Sequence, residues 1–212
     1  MTTSVADIVR IGPVIPVLAF ESAEQGEGVS RALHAGGVKV LEITLRTAAG
    51  LAAIERAARL APDIVVGVGT LTSPRQCAMA KKAGARFGVS PGLTRDLHQA
   101  AQDEGLPLLP GVMTPSDILL ALELGYEIVK FFPAQQAGGV PMLKALHGPF
   151  PGLKFCPTGG INVDNAPSFL ALPNVVCVGG SWLTPQAAVA AQDWVQITRL
   201  AGAASALARA TK

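Results

Sequence analysis

Short runs of Val, Ile, Leu and Phe recur along the chain, separated by polar, Ala-rich segments of helical pattern. The runs begin near Val14, Val38, Ile64, Ala85, Pro107, Glu127, Leu153 and Val175, 20 to 26 residues apart. That interval holds one strand and one helix, so the pattern predicts eight βα units with no composition shift between them. Near-continuous apolar strands, rather than strictly alternating ones, are those of a parallel sheet covered on both faces.

The punctuation agrees. Four predicted helices end in Gly immediately before a strand, in HAGG, KKAG, QDEG and LELG. Glycine there accepts the left-handed conformation that terminates a helix. Ser73-Pro74, Thr114-Pro115 and Thr184-Pro185 read as helix starts, a capping hydroxyl followed by Pro in the first turn. Eight such units predict an α/β fold, a single (β/α)8 TIM barrel spanning residues 1–212 with an N-terminal helical segment. In that architecture, chemistry sits at the C-terminal ends of the strands.

Composition narrows the setting. The chain has 212 residues, of which 50% are hydrophobic and only 15% charged. Its longest stretch without Asp, Glu, Lys or Arg, Asn165 to Gln192, is broken by Pro167, Pro173 and Pro185, so no membrane-spanning helix is predicted. Asp7 stands where a signal peptide would carry basic residues, which points to a cytoplasmic protein. The 17 basic and 15 acidic residues are dispersed, so no nucleic-acid partner is expected. Cys77, Cys156 and Cys177 are far apart and read as buried small hydrophobes.

Polar residues inside strands then stand out. In VKVLEITLR, Glu42, Thr44 and Arg46 share one face while Leu41, Ile43 and Leu45 share the other. In YEIVKFFPA, Lys130 shares its face with Ile128 and Phe132. If both polar faces point inward, Glu42 and Lys130 meet inside the barrel. Two readings stay open: a structural ion pair, or a desolvated amine that attacks a carbonyl with Glu42 moving protons beside it. Their separation distinguishes them.

The last two units carry paired glycines at strand-to-helix junctions, Gly159-Gly160 in CPTGGINVDN and Gly179-Gly180 in VCVGGSWLTP, the latter followed by Ser181. Barrels commonly bind phosphate at the loops after strands seven and eight. Arg46 and Thr70 lie just past their strands, where they could hold a carboxylate. His34, His98 and His147 fall in helical segments and offer no metal cluster, and GVGTLT lacks the third Gly of a dinucleotide fingerprint. No metal or cofactor is expected.

The segments GGVKVLEITLRT, VGVGTLTSP, VSPGL, LPGVMTPSD, VKFFPA, FCPTGGI and GGSWL resemble the class I 2-keto-3-deoxy-6-phosphogluconate aldolases, which also act on 4-hydroxy-2-oxoglutarate. The resemblance implies a metal-independent, homotrimeric barrel that cleaves a phosphorylated keto sugar acid to pyruvate and glyceraldehyde 3-phosphate. It makes Lys130 the Schiff-base lysine and Glu42 the general acid/base. Arg46 and Thr70 would hold the pyruvate carboxylate, with Pro91 and Phe132 lining that pocket. Thr158 would lie near the C4 hydroxyl, and Gly159, Gly160, Gly179, Gly180 and Ser181 at the phosphate.

Gln135 departs from the Glu common in relatives after FFPA. Thr158 and Ser181 favour the gluconate over the galactonate epimer. The galactonate-epimer aldolase, a metal-free sugar-phosphate isomerase and a non-catalytic binding barrel are the alternatives.

Overall fold

In the computed structural model, described over residues 4–208, the apolar runs form parallel strands and the segments between them form helices. The first strand, β1 (Val14–Leu18), is followed by α2 (Ala23–Ala35), β2 (Val40–Thr44), α3 (Gly50–Ala57), β3 (Val65–Gly69) and α4 (Arg75–Lys82). Next come β4 (Phe87–Val89), α5 (Arg95–Asp103), β5 (Leu108–Leu109), β6 (Gly111–Val112), α6 (Pro115–Glu123), β7 (Ile128–Phe131) and α7 (Gly139–His147). The last units are β8 (Lys154–Pro157), α8 (Ala166–Leu170), β9 (Val178–Gly180), α9 (Gln186–Ala190) and α10 (Trp194–Ser205). The predicted helical segment before β1 is a single turn, α1 (Val5–Ile8), closed by a Ser4–Asp7 capping box.

Hydrogen bonding orders the strands β5-β4-β3-β2-β1-β9 in one sheet and β6-β7-β8 in another. The two are continuous parts of one curled wall. The fifth strand position is split at Pro110, which has no N–H to give to the ladder, although its carbonyl accepts from Lys130 N. At the other seam, bridges Phe155↔Val175 and Thr158↔Gly179 join β8 to the run entering β9. The eighth strand therefore starts at Val178, three residues later than the apolar run, because Val175 bridges β8 whereas the pairing with β1 begins at Val178↔Val14.

Strand parity divides the core in two. Leu41, Ile43, Val129 and Phe131 face outward into the shell between strands and helices. Ile15, Val40, Val65, Phe87, Leu109 and Ile128 face inward and form a separate inner cluster with Ile8 and Val9, so α1 plugs the N-terminal mouth. Each fully buried side chain of this kind stabilises the fold by about 1.5–3 kcal/mol. The ring is completed by α10 against α2, where Thr198 Oγ1 donates to Ala32 O at 3.0 Å.

All four helix-ending glycines, Gly37, Gly84, Gly105 and Gly125, have positive φ as the punctuation predicts. Of the three Ser/Thr-Pro starts only Thr114-Pro115 is a true cap, with Thr114 accepting from Asp117 N. At α4, Pro74 itself occupies the cap and Gln76 Oε1 turns back to accept from Thr72 N and Ser73 N. At α9, Pro185 takes the position without a side-chain bond, and Thr184 Oγ1 donates to Ser181 O. The three cysteines are buried thiols. Burial first, and Glu104 second, push the Cys77 thiol up, away from reactivity.

Candidate active site

The inner apolar layer ends where the strands approach their C-terminal ends, and the next inward residues are polar. Register sets their heights: Val17 is opposite Glu42, Glu42 opposite Gly67, and Lys130 opposite both Gly111 and Cys156. Glu42 and Lys130 thus project into the barrel above the plug, from strands on opposite walls. Lys130 Nζ lies 3.2 Å from Glu42 Oε1, and each side chain is only 4% exposed. Thr44, one step higher on β2, is turned aside by donating to Leu18 O at 2.8 Å.

Glycine makes the space for this pair. A Cβ on Gly69 would stand 2.5 Å from Glu42 Oε1, and one on Gly111 would run into the Pro91 backbone. The lower glycine of β3, Gly67, serves the apolar layer instead, since its missing Cβ leaves room for the Phe87 ring. Backbone next to a functional group is a common reason for glycine inside a strand.

Above Lys130 opens a cavity of about 500 Å³, a normal size for a small-molecule site. Arg46, Thr70 and Pro91 line one side, and Lys130 and Phe132 belong to the wall as well, the Phe132 ring lying against Gly159. Thr158, Gly159, Gly160, Gly180 and Ser181 line the other side. Arg46 Nε donates to Thr70 Oγ1 at 3.3 Å, so its guanidinium reaches the cavity without a carboxylate partner among the described residues. Thr70 holds φ +63°, an uncommon conformation for a β-branched residue that tends to mark functional backbone. The Phe132 ring centroid is 5.3 Å from Lys130 Nζ, within cation–π range.

Two expected site residues stand off the cavity wall. Glu42 does not line the cavity; it lies against Lys130, buried. Gly179 is also off the wall, because it sits under Thr158, whose Oγ1 occupies the space a Cβ at 179 would need. Gly179 is therefore a packing position for Thr158 and Gly180 alone represents that pair at the cavity.

Val17 and Ile161 complete the wall and were not singled out from sequence. Val17 had a signal: it has the inward parity of Ile15. Ile161 follows Gly160 directly and is reached through the glycine turn.

At the far end, backbone geometry favours an anion. Gly159 and Gly160 have φ +100° and +74°, and the N–H groups of Gly160 and Ile161 have no acceptor among the described residues. Ser181 adds a hydroxyl. The cavity is thus a cation with a hydroxyl at one end, free N–H groups at the other, and a buried amine–carboxylate pair between them.

A buried lysine opening into the C-terminal mouth of a curled parallel αβ wall defines a lysine-bearing barrel site. The comparisons specify it. Residues 5–200 match the family model for KDPG and KHG aldolase, and the chain belongs to that family. It is 47% identical over 208 residues to the 2-dehydro-3-deoxy-phosphogluconate aldolase of Dickeya dadantii, covering 98% of each chain. It superimposes with TM-score 0.91 and 47% identity on a Legionella pneumophila KDPG aldolase with pyruvate captured as a covalent carbinolamine, covering 94% of this chain and 97% of that one. It matches a Zymomonas mobilis 2-keto-3-deoxy-6-phosphogluconate aldolase with 3-phosphoglycerate, with TM-score 0.93, 43% identity and 99% of both chains covered.

Proposed function

We propose that this protein is a class I aldolase that cleaves 2-keto-3-deoxy-6-phosphogluconate to pyruvate and glyceraldehyde 3-phosphate, and acts also on 4-hydroxy-2-oxoglutarate. The observation that carries the proposal is the amine of Lys130 on the cavity wall with the Glu42 carboxylate 3.2 Å behind it. A purely structural ion pair gains nothing from facing an open cavity. An amine that must meet a carbonyl requires it.

In this mechanism Glu42 accepts a proton from the Lys130 ammonium as the C2 ketone of the substrate arrives. The neutral amine adds to C2, and Glu42 returns a proton to the carbinolamine hydroxyl, which leaves as water. The protonated imine is the electron sink: Glu42, again a carboxylate, takes the C4 hydroxyl proton, the C3–C4 bond breaks, and its electron pair moves into the enamine. Glyceraldehyde 3-phosphate departs. Glu42 gives that proton to C3 of the enamine, and hydrolysis of the resulting imine by water releases pyruvate and restores the amine. The covalent intermediate divides one difficult cleavage into easier steps.

Orientation comes from the two ends. Arg46 and Thr70 hold the carboxylate next to C2, with Pro91 and Phe132 as the apolar walls beside it. Thr158 stands where C4 passes, and Gly159, Gly160, Gly180 and Ser181 receive the phosphate. Binding energy gained at a phosphate remote from the broken bond serves orientation at the reacting carbon.

Reduction with borohydride in the presence of pyruvate tests the reading. A pyruvate-derived mass adduct on Lys130 is expected, and folded protein that yields none excludes an imine mechanism. The proposal includes a homotrimer, for which light scattering gives three times 21.7 kDa. It also includes cytoplasmic action, because a charged sugar phosphate does not cross lipid; no helix among the described residues is long and apolar enough to cross a membrane.

A further inference from the structure

Three consecutive carbonyls of the turn after β8 are taken by partners outside it. Thr158 O accepts from Ala134 N at 2.8 Å, Gly159 O from Gln135 N at 3.0 Å, and Gly160 O from Asn165 Nδ2 at 2.9 Å. The first two donors are backbone groups just beyond the lysine strand. The third is a side chain.

A trans peptide points its C=O and N–H in opposite directions. Holding Gly159 O on Gln135 therefore aims the Gly160 N–H the other way, and holding Gly160 O on Asn165 does the same for the Ile161 N–H. Gly160 and Ile161 both line the cavity, and neither N–H has an acceptor among the described residues. Gly160, with φ +74° and no side chain, is free enough to let the following peptide flip and present a carbonyl to the cavity instead.

Asn165 is itself held in place. Its Oδ1 accepts from Asn162 N at 2.9 Å, while Asn162 Oδ1 accepts from both Asp164 N and Asn165 N at 3.0 Å. With its oxygen committed, the Asn165 amide has only Nδ2 to offer Gly160. The spacing N-x-x-N after TGGI is the sequence trace of this arrangement.

We propose that Asn165, oriented by Asn162, is a positioning residue for the anion end of the cavity. It holds the Gly160–Ile161 peptide so that the Ile161 N–H faces the substrate phosphate, without touching substrate itself. The inference rests on the phosphate reading of this turn and adds what keeps the turn competent.

The test uses the whole protein and two variants, Asn165→Ala and Asn165→Asp. Asp keeps the acceptor for Asn162 N and the shape but removes the donor and adds a negative charge, whose share is separated by repeating the measurement at high salt, which screens charge and leaves the lost bond. It also carries the test should the Ala variant not fold. In both, KM for 2-keto-3-deoxy-6-phosphogluconate and the inhibition constant of inorganic phosphate rise about tenfold, as for a lost bond to an anion, while kcat and borohydride trapping of pyruvate change less than about twofold. Pyruvate does not reach the turn, so trapping reports the lysine end alone.

Wild-type phosphate inhibition retained unchanged in both variants overturns the role of Asn165 only. Parallel loss of KM and pyruvate trapping also overturns it, since that is a general distortion. A wild-type protein that inorganic phosphate does not inhibit competitively overturns the phosphate reading, and this inference with it.

Discussion

Lys130 Nζ and Glu42 Oε1 are 3.2 Å apart in the interior of the barrel, and Gly69 stands beside them where any other residue would displace the carboxylate. Stability and chemistry therefore depend on the same pair. Removing one member leaves the other charge buried and alone.

Lys130→Met is expected to abolish turnover and pyruvate trapping and to destabilise the protein by about 3–5 kcal/mol, because Glu42 loses its partner. Adding Glu42→Gln should recover much of that stability without restoring activity. Denaturant melts of the two single variants and the double variant measure the coupling, and additive losses would show that the pair contributes nothing jointly.

Glu42→Gln keeps the size and loses the base. Imine formation with pyruvate should slow by roughly 10²–10⁴, the range of a positioned proton-transfer group. Stopped-flow trapping rates at saturating pyruvate check this; an unchanged rate would assign proton transfer elsewhere.

Gly67→Ala and Gly69→Ala separate the two layers of β3. The first drives a methyl into Phe87 in the apolar layer, so it should lower stability by about 1–3 kcal/mol, the usual cost of overpacking. The second drives a methyl into Glu42 Oε1, so its main effect should be on kcat. Thermal melts beside initial rates distinguish them, and identical profiles would dissolve the distinction between layers.

The α6 cap predicts a pH dependence. Burial alone would raise the Asp117 carboxyl, but bonds from Thr114 N, Met113 N and the Thr114 hydroxyl together outweigh it and hold the group below its ordinary 3.8. A folded value below the unfolded one stabilises fully above the unfolded value, and the contribution disappears as pH falls through the folded one. Asp117→Ala should cost about 1 kcal/mol near neutrality, as lost caps do. The difference from wild type should shrink as pH falls below 3.8, on the way down to the folded value. Denaturant midpoints across pH 3 to 7 test it, and a gap that stays constant would sink it.

Much of this molecule was legible in its sequence because the relevant physics is local or periodic. Strand parity separated Glu42 from Leu41 and Ile43, and Lys130 from Val129 and Phe131, and the structure turns the polar faces inward and the apolar ones outward. Helix-ending glycines announced positive φ, since that conformation belongs to the residue itself. The Ser/Thr-Pro starts were less reliable, because Gln76 competes for the same N–H groups and only three dimensions decide which bond wins.

Sequence by itself determined the eight-unit repeat, the polar strand faces and the glycine turns. Tertiary structure decided the pairing across the barrel, which depends on register between strands 88 residues apart in the chain. It also decided that Glu42 lies behind the lysine, that Gly179 serves Thr158, and that Asn165 reaches Gly160 O. These are distances between side chains and backbone across closed loops, and no periodicity in one strand carries them.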